Sequence, residues 1–351
     1  MSNQAARKIP ATLIAGDGIG PEIMHATVRV LDALKAPFEW EEVTGGMAAV
    51  ARQGDPLPKE TMESIHRTRL ALKGPLTTPV GGGYRSVNVR LREEFELYAN
   101  LRPVRTIVPG GRYEDVDIVL VRENTEGFYV GFEHFIPIKG DPHAVAIGSG
   151  VNTREGCRRV AEFAFDYAVK NGRKNVTCVH KANILKALTG LFVEEVRECF
   201  KKDEGRITLD DRIIDACAMQ LVLDPTKFDV ILTTNLFGDI LSDLIAGLVG
   251  GLGLAPGGNI GTEAAIFEAV HCSAPDIAGK GVANPTALLL AAAMMLDYVG
   301  EPEKARVLRD AIDRVIQDDK VRTRDLGGTA STLEYTDALI SRMATMSAAQ
   351  A

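Results

Sequence analysis

The sequence predicts an α/β protein of two lobes, the smaller inserted in the middle of the larger. Three observations carry this. Short apolar, strand-like runs alternate with amphipathic segments of helical period along most of the chain. At 351 residues the chain is long enough for two cores. A glycine-rich crossing at 250–261, with Pro256 inside it, follows the middle segment and leads back to the first lobe.

Composition narrows the class. Hydrophobic residues at 46% and charged residues at 25% are ordinary for a soluble globular chain. A net charge of −7 argues against nucleic-acid binding but leaves anionic substrates open, because arginines cluster between 85 and 122. Cys157, Cys178, Cys199, Cys217 and Cys272 form no CxxC pair, which predicts reduced thiols rather than disulfides or zinc. Residues 1–8 read as a polar tail without an apolar leader, and the longest apolar run, 287–296, is too short to span a bilayer. The expectation is a cytoplasmic protein without a membrane or nucleic-acid partner.

Residues 12–15 read as a strand, GDGIGPEI as a glycine turn, and the periodic segment through Ile23, Val28, Val30 and Leu31 as a helix. Gly16, Gly18 and Gly20 leave Pro21 where a dinucleotide fingerprint needs its third glycine, so a Rossmann reading is rejected. A strand at 38–43 and a helix at 58–68 follow, then a buried strand, RLALKG, and a mobile loop over 74–83. Ser86 is placed to cap a helix running through Phe95, with Asn88 in its first turn and Arg92 one turn below. A helix start suits an anion, and Arg92 and Arg102 add forks that grip carboxylates. A solvated loop followed by a charged surface helix fits the same spacing.

Strands are expected at 98–105 and 117–121, the second placing Arg122 at its C-terminal end, where α/β sheets put functional groups. An alternating run holding Tyr129, with 144–147, reads as an arm. Thr153 caps a helix that stops at Asn171–Gly172. A strand at 176–179 leads into His180, Lys181 and Asn183. Helices over 185–200 and 213–222, a strand at 228–232 and the segment TTNLFGDILSDL follow. A strand at 266–270, a buried helix after Asn284 and Pro285, and helices at 301–317 and 332–344 close the chain.

Asp239 and Asp243, four apart on a helix, place two carboxylates on one face among apolar neighbours. Such a pair needs a compensating cation or a well-solvated surface; the apolar neighbours favour the cation, and Mg²⁺ or Mn²⁺ fits, while acids answering a helix dipole explain Asp239 well and Asp243 less well. Asp215 is a candidate third ligand or an interface acid. Lys181 is a general acid/base if its pKa is lowered, or a surface lysine. Tyr129 alone reads as packing.

Together these segments resemble the β-decarboxylating dehydrogenases that act on isocitrate, isopropylmalate, homoisocitrate and tartrate. GDGIGPEI, KGPLTTP, SVNVRLREEFELYANLRP, VRENTEG, VHKANILK, IDACAMQLV, NLFGDILSDL and APDIAGKGVANP carry the resemblance over nearly the whole chain. It implies the two-lobe isocitrate/isopropylmalate dehydrogenase fold, with a large NAD-binding domain (1–101 and 255–351) and a small domain (102–254) holding the metal site, dimer interface and arm. Substrate binding falls to Thr77, Ser86, Asn88, Arg92, Arg102 and Arg122. Tyr129 and Lys181 are the implied proton carriers. Asp239 and Asp243, with Asp215, are the implied Mg²⁺ or Mn²⁺ ligands, Lys181 and Asp215 coming from the partner of a homodimer with shared active sites. Ser86 and Asn88 favour isocitrate, with homoisocitrate the alternative. Asp276 and Ile277 favour NAD over NADP, because a 2′-phosphate would meet the Asp276 carboxylate. His271, Ser273, Ala274 and Asn284 are the implied adenosine side, Asn183 and Glu268 the nicotinamide side. A non-catalytic regulatory role is the competing reading, although the implied catalytic residues are all present. One departure stands out: Cys272 follows His271 where the family has glycine; NAD affinity is perturbed if that position needs a positive φ or a close approach, the thiol is alternatively oxidation-sensitive, and the favoured reading is a tolerated residue in a permissive loop.

Overall fold

The computed structural model describes residues 8–79 and 83–348. Residues 1–7 of the tail read at 1–8 and the centre of the expected loop, 80–82, lie outside the described residues. The chain packs as two units, Met1–Leu91, Thr106–Glu114 and Val249–Ala351 in one, Arg92–Arg105 and Asp115–Leu248 in the other. The division expected from sequence lay at 101/102 and 254/255. The observed one lies at 91/92 and 248/249, with Thr106–Glu114 returned to the first unit.

The chain opens with β1 (Ile9–Ile14), α1 (Gly20–Ala33), β2 (Phe38–Val43), α2 (Met47–Gln53), α3 (Lys59–Thr68), β3 (Leu70–Lys73) and α4 (Val87–Glu94). The second unit holds β4 (Ala99–Arg105), β5 (Asp117–Glu123), β6 (Gly127–Ile138), β7 (Asp141–Val151), α5 (Arg154–Lys170), β8 (Asn175–His180), α6 (Leu188–Phe200), β9 (Thr208–Ile213), α7 (Ile214–Leu223), β10 (Val230–Thr233) and α8 (Asn235–Leu248). The return segment supplies β11 (Pro256–Ile260), β12 (Ala265–Ala269), α9 (Thr286–Tyr298), α10 (Pro302–Gln317) and α11 (Thr332–Ala348).

In the first unit the strands run β2-β1-β3-β12-β11, parallel except for β11, which pairs antiparallel with β12. Strands covered on both faces read as continuous apolar runs, and all of Leu70–Lys73 is buried. Helix α9 is buried at every position from Thr286 to Leu296, so its lack of a polar face marks a core helix. In the second unit the order is β4-β5-β10-β8-β9, with β4 antiparallel to β5 and the rest parallel. Strands β6 and β7 form a separate two-stranded hairpin whose outer residues, Phe132, Phe135 and Ile138 among them, are exposed.

Most elements lie where periodicity placed them, and Thr153 caps α5 by accepting from Gly156 N at 2.9 Å. Two strands depart from that pattern. PGGNI, which reads as part of a crossing, forms β11, because its glycines let β12 and α9 approach: a Cβ on Gly258 would lie 3.1 Å from Phe267 and from Met294. TLDDRI forms β9, an edge strand whose acidic outer positions hide the usual apolar signal.

Candidate active site

The second unit gathers buried arginines beside two acids. Strand β5 carries Arg122 near its C-terminal end, with its side chain 1% exposed. Nε and Nη2 donate to Asn235 Oδ1 at 3.0 and 2.7 Å, and Nη1 donates to Asp239 Oδ1 at 2.5 Å. Glycine at 238 makes room for this: a Cβ there would stand 2.6 Å from Arg122 Cγ. Arg102, from β4, donates through Nε to Asn100 Oδ1 at 2.7 Å and through Nη1 to Ser242 Oγ. Its Nη1 also lies 3.7 Å from Asp239 Oδ1 and 3.8 Å from Asp243 Oδ1. The i, i+4 pair on α8 is thus answered in part by protein cations.

Electrostatics follow this arrangement. Burial raises the Asp239 carboxyl pKa, but Arg122, the Tyr129 hydroxyl, Arg102 and Arg92 outweigh it and hold the group below its ordinary range. Asp243 goes the other way: burial and the neighbouring Asp239 charge push it up against the pull of Arg102. Tyr129 OH donates to Asp239 Oδ2, and its ring stacks 5.1 Å from the Arg122 guanidinium. Burial, then the Asp239 bond, raises the phenol pKa, so the hydroxyl stays protonated at neutral pH. The packing role read for Tyr129 alone is therefore joined by a polar one.

Lys181 and Asp215 form their own pair, Nζ to Oδ1 at 2.6 Å, and this bond is the main cause lowering the Asp215 pKa. Within one chain Asp215 does not join Asp239 and Asp243. Among the described residues no three His, Cys, Asp or Glu side chains converge as a metal centre. Asn183 is exposed in the turn that follows β8.

The first unit holds the remaining candidates. Ser86 O accepts from Arg90 N at 3.0 Å at the start of α4, and Ser86 Oγ accepts from Thr78 Oγ1 at 3.3 Å. Asn88 Oδ1 is buried without a hydrogen-bond partner, a cost that a polar ligand would remove. Thr77 and Ser273 share a hydroxyl bond at 2.9 Å. Glu268 is engaged in a buried ion pair with Lys73 at 2.6 Å and accepts from Asn259 Nδ2 at 2.7 Å. His271 holds Nδ1 at 3.0 Å from Cys272 O, and its Nε2 is buried without a partner. Burial lowers its pKa, keeping the ring neutral. The Asn284 side chain turns inward, donating to Asp325 Oδ2 at 2.9 Å and accepting from Thr286 N at 2.9 Å. Asp276 is exposed and Ile277 half-buried.

Of the readings of Cys272, the backbone favours the tolerated residue. Cys272 is exposed and its φ is not positive; the left-handed residue of this loop other than glycine is Ala274, with φ 40°. Asn235, Asn100, Ser242 and Lys73 carry no site signal in the sequence that singles them out. Asn235 comes nearest, as a polar residue at the strand-to-helix junction before Asp239.

The isocitrate/isopropylmalate dehydrogenase family model matches residues 10–339. The chain belongs to this family. Members similar to it include a mitochondrial protein of Dictyostelium discoideum named as a regulatory component of NAD isocitrate dehydrogenase, 49% identical over 97% of this chain and 94% of that one. Isocitrate dehydrogenase (NAD) catalytic subunit 5, mitochondrial, of Arabidopsis thaliana is 48% identical over 94% of this chain and 87% of that one. A crystal structure of isocitrate dehydrogenase from Methylococcus capsulatus superposes with a TM-score of 0.92 at 53% identity, covering 95% of this chain and 99% of that one. The expected α/β two-lobe family fold is thereby established. The expected cytoplasmic placement is overturned, since both curated relatives are mitochondrial by name. Free thiols separate reducing from oxidising surroundings and nothing finer, which is why composition misled. No helix among the described residues is long and apolar enough to cross a membrane.

Proposed function

We propose that this family member catalyses the NAD-dependent oxidative decarboxylation of isocitrate to 2-oxoglutarate and CO₂. The observation that carries the reading is the convergence of Arg122, Arg102 and the Tyr129 hydroxyl on Asp239, with Asp243 one turn away. Buried guanidinium groups held by Asn235, Asn100 and Ser242 are pre-oriented for a polyanion, so binding it costs little reorganisation. Arg92, Arg102 and Arg122 would grip two carboxylates, and Thr77 would add a hydroxyl to the same substrate. Ser86 and Asn88 would hydrogen-bond the third, and the unpartnered Asn88 oxygen supports a polar guest there.

The donor set fits a divalent cation, because Asp239 is held ionised beside a second carboxylate. Asp239 and Asp243 would hold Mg²⁺ or Mn²⁺, joined by Asp215 of a second copy in a homodimer. When bound, the ion supplies Lewis-acid stabilisation of the electrons left behind as CO₂ departs. Lys181 of the second copy would carry the alcohol proton, relayed through the hydrogen-bonded pair it makes with Asp215. Tyr129, kept protonated by burial, would return a proton to the carbon that loses CO₂. For NAD, the supporting observation is the buried, unpartnered His271 Nε2. His271, Ser273, Ala274 and Asn284 would line the adenosine side, Asp276 and Ile277 the ribose, Asn183 and Glu268 the nicotinamide side, where NAD accepts the hydride.

A relative with a regulatory name supports a second reading, a non-catalytic component of a larger assembly. Initial rates of NADH formation with Mg²⁺ on isocitrate, homoisocitrate, isopropylmalate and tartrate separate the readings. Turnover of isocitrate by the purified chain, with NAD preferred over NADP, is the expected result. A win for homoisocitrate would displace the substrate assignment, and no turnover on any acid would favour the regulatory role.

A further inference from the structure

GDGIGPEI fails as a dinucleotide fingerprint, yet its backbone and both acids bond to other segments of the chain. We infer that Asp17 and Glu22 are positioning residues: with the glycine turn they clasp the loop carrying Thr77 and both ends of the segment 271–284. The inference rests on the assignment of those residues to substrate and NAD.

Ile19 N donates to Ser273 O at 2.8 Å. This approach is possible only at glycine, since a Cβ on Gly18, whose φ is +58°, would lie 1.9 Å from Ser273 O. Asp17, 7% exposed, accepts from Met47 N at 2.7 Å through Oδ1 and from Thr77 N at 2.8 Å through Oδ2. Thr77 in turn shares its hydroxyl bond with Ser273. Glu22, in the first turn of α1, accepts from Ala283 N at 2.9 Å through Oε1 and from Gly281 N at 3.2 Å through Oε2. Thr332 Oγ1 lies between Glu22 Oε1 and Ala283 O, 2.6 Å from the latter, and gives its single proton to one of them. One rigid turn thus fixes Ser273 at one end of the segment and Gly281 and Ala283 at the other.

Both oxygens of each carboxylate face backbone N–H groups. An amide therefore sets its NH₂ against a donor whichever way it turns, so Asp17→Asn and Glu22→Gln are sharp tests. Calorimetric NAD affinity without substrate, isocitrate KM and melting temperature are measured on wild type and both variants. Glu22→Gln is expected to weaken NAD binding about tenfold with isocitrate KM within about twofold, and Asp17→Asn to raise isocitrate KM about tenfold with NAD affinity within about threefold. Constants that shift together in both variants, or stay put while melting falls, overturn the clasp. If Glu22→Gln does not fold, Thr332→Val is read instead, and NAD affinity unchanged there overturns the Glu22 arm. Wild-type protein that binds no NAD sinks the functional reading and the clasp with it. Wild-type binding with an unaffected Glu22→Gln sinks the clasp alone.

Discussion

The cluster around Asp239 and the segment 271–284 are held in opposite ways. Around Asp239 polar and charged side chains hold one another: Arg122, Arg102 and Tyr129 reach one carboxylate from three strands. Along 271–284 the partners are mostly backbone, with Ile19 N on Ser273 O and Glu22 on the amides of Gly281 and Ala283. The first region depends on ionisation and on the space allowed to a guanidinium. The second depends on the path of the chain, and its exposed side chains matter less. Charge changes are therefore expected to injure the cluster most, and an exposed side chain of the segment 271–284 least.

The largest effect belongs to Asp239→Asn, which removes the charge of a proposed cation ligand and one of the two oxygens that accept from Arg122 and Tyr129. kcat/KM for isocitrate is expected to fall by about a thousandfold or more. The same variant tests the pH argument. Asp239 is depressed below its ordinary value of 3.8, so its stabilising contribution is present above that value and lost as pH falls through the folded pKa. Wild type should lose melting temperature on acidification below that value more steeply than Asp239→Asn. Parallel acid limbs would show that Arg122 and Arg102 do not depend on this carboxylate.

Gly238→Ala comes next, since its methyl group displaces Arg122 without changing any charge. A loss in kcat/KM of about a hundredfold is expected, with far-ultraviolet circular dichroism unchanged. Activity near wild type would mean that Arg122 shifts freely and is not pre-oriented. Asn235→Ala removes the acceptor of two Arg122 donors and leaves Asp239 in place. Isocitrate KM should rise about tenfold, with the NAD KM unmoved. Equal increases in both would blur the distinction between the regions. Smallest is Cys272→Gly: the residue is exposed at ordinary φ, so the NAD KM should stay within about twofold, with or without peroxide. A larger shift would show that this loop does depend on a side chain after all.

Much of this was legible in order of residues. The helix-spaced acids of NLFGDILSDL, Arg122 at the end of an apolar run and the N-cap at Thr153 follow from local periodicity, which needs no tertiary contact. Strand β11 was not legible, because PGGNI pairs only when β12 and α9 close around its glycines. Lys73 looked like the end of an apolar strand; its partner Glu268 lies far along the chain, and no spacing rule links them.

The sequence by itself determined the α/β class, the alternation of elements, the family and the chemical types at the candidate positions, since each depends on local period and motif. Only the tertiary structure decided which groups meet: Asn235 under Arg122, Lys181 on Asp215, Glu22 beneath Gly281 and Ala283. It also decided that the left-handed non-glycine residue of the segment 271–284 is Ala274 and not Cys272. The reason is physical. Periodicity reports which face of an element is apolar, whereas the pairing of polar groups is set by where distant elements cross and by which buried donors must find acceptors there.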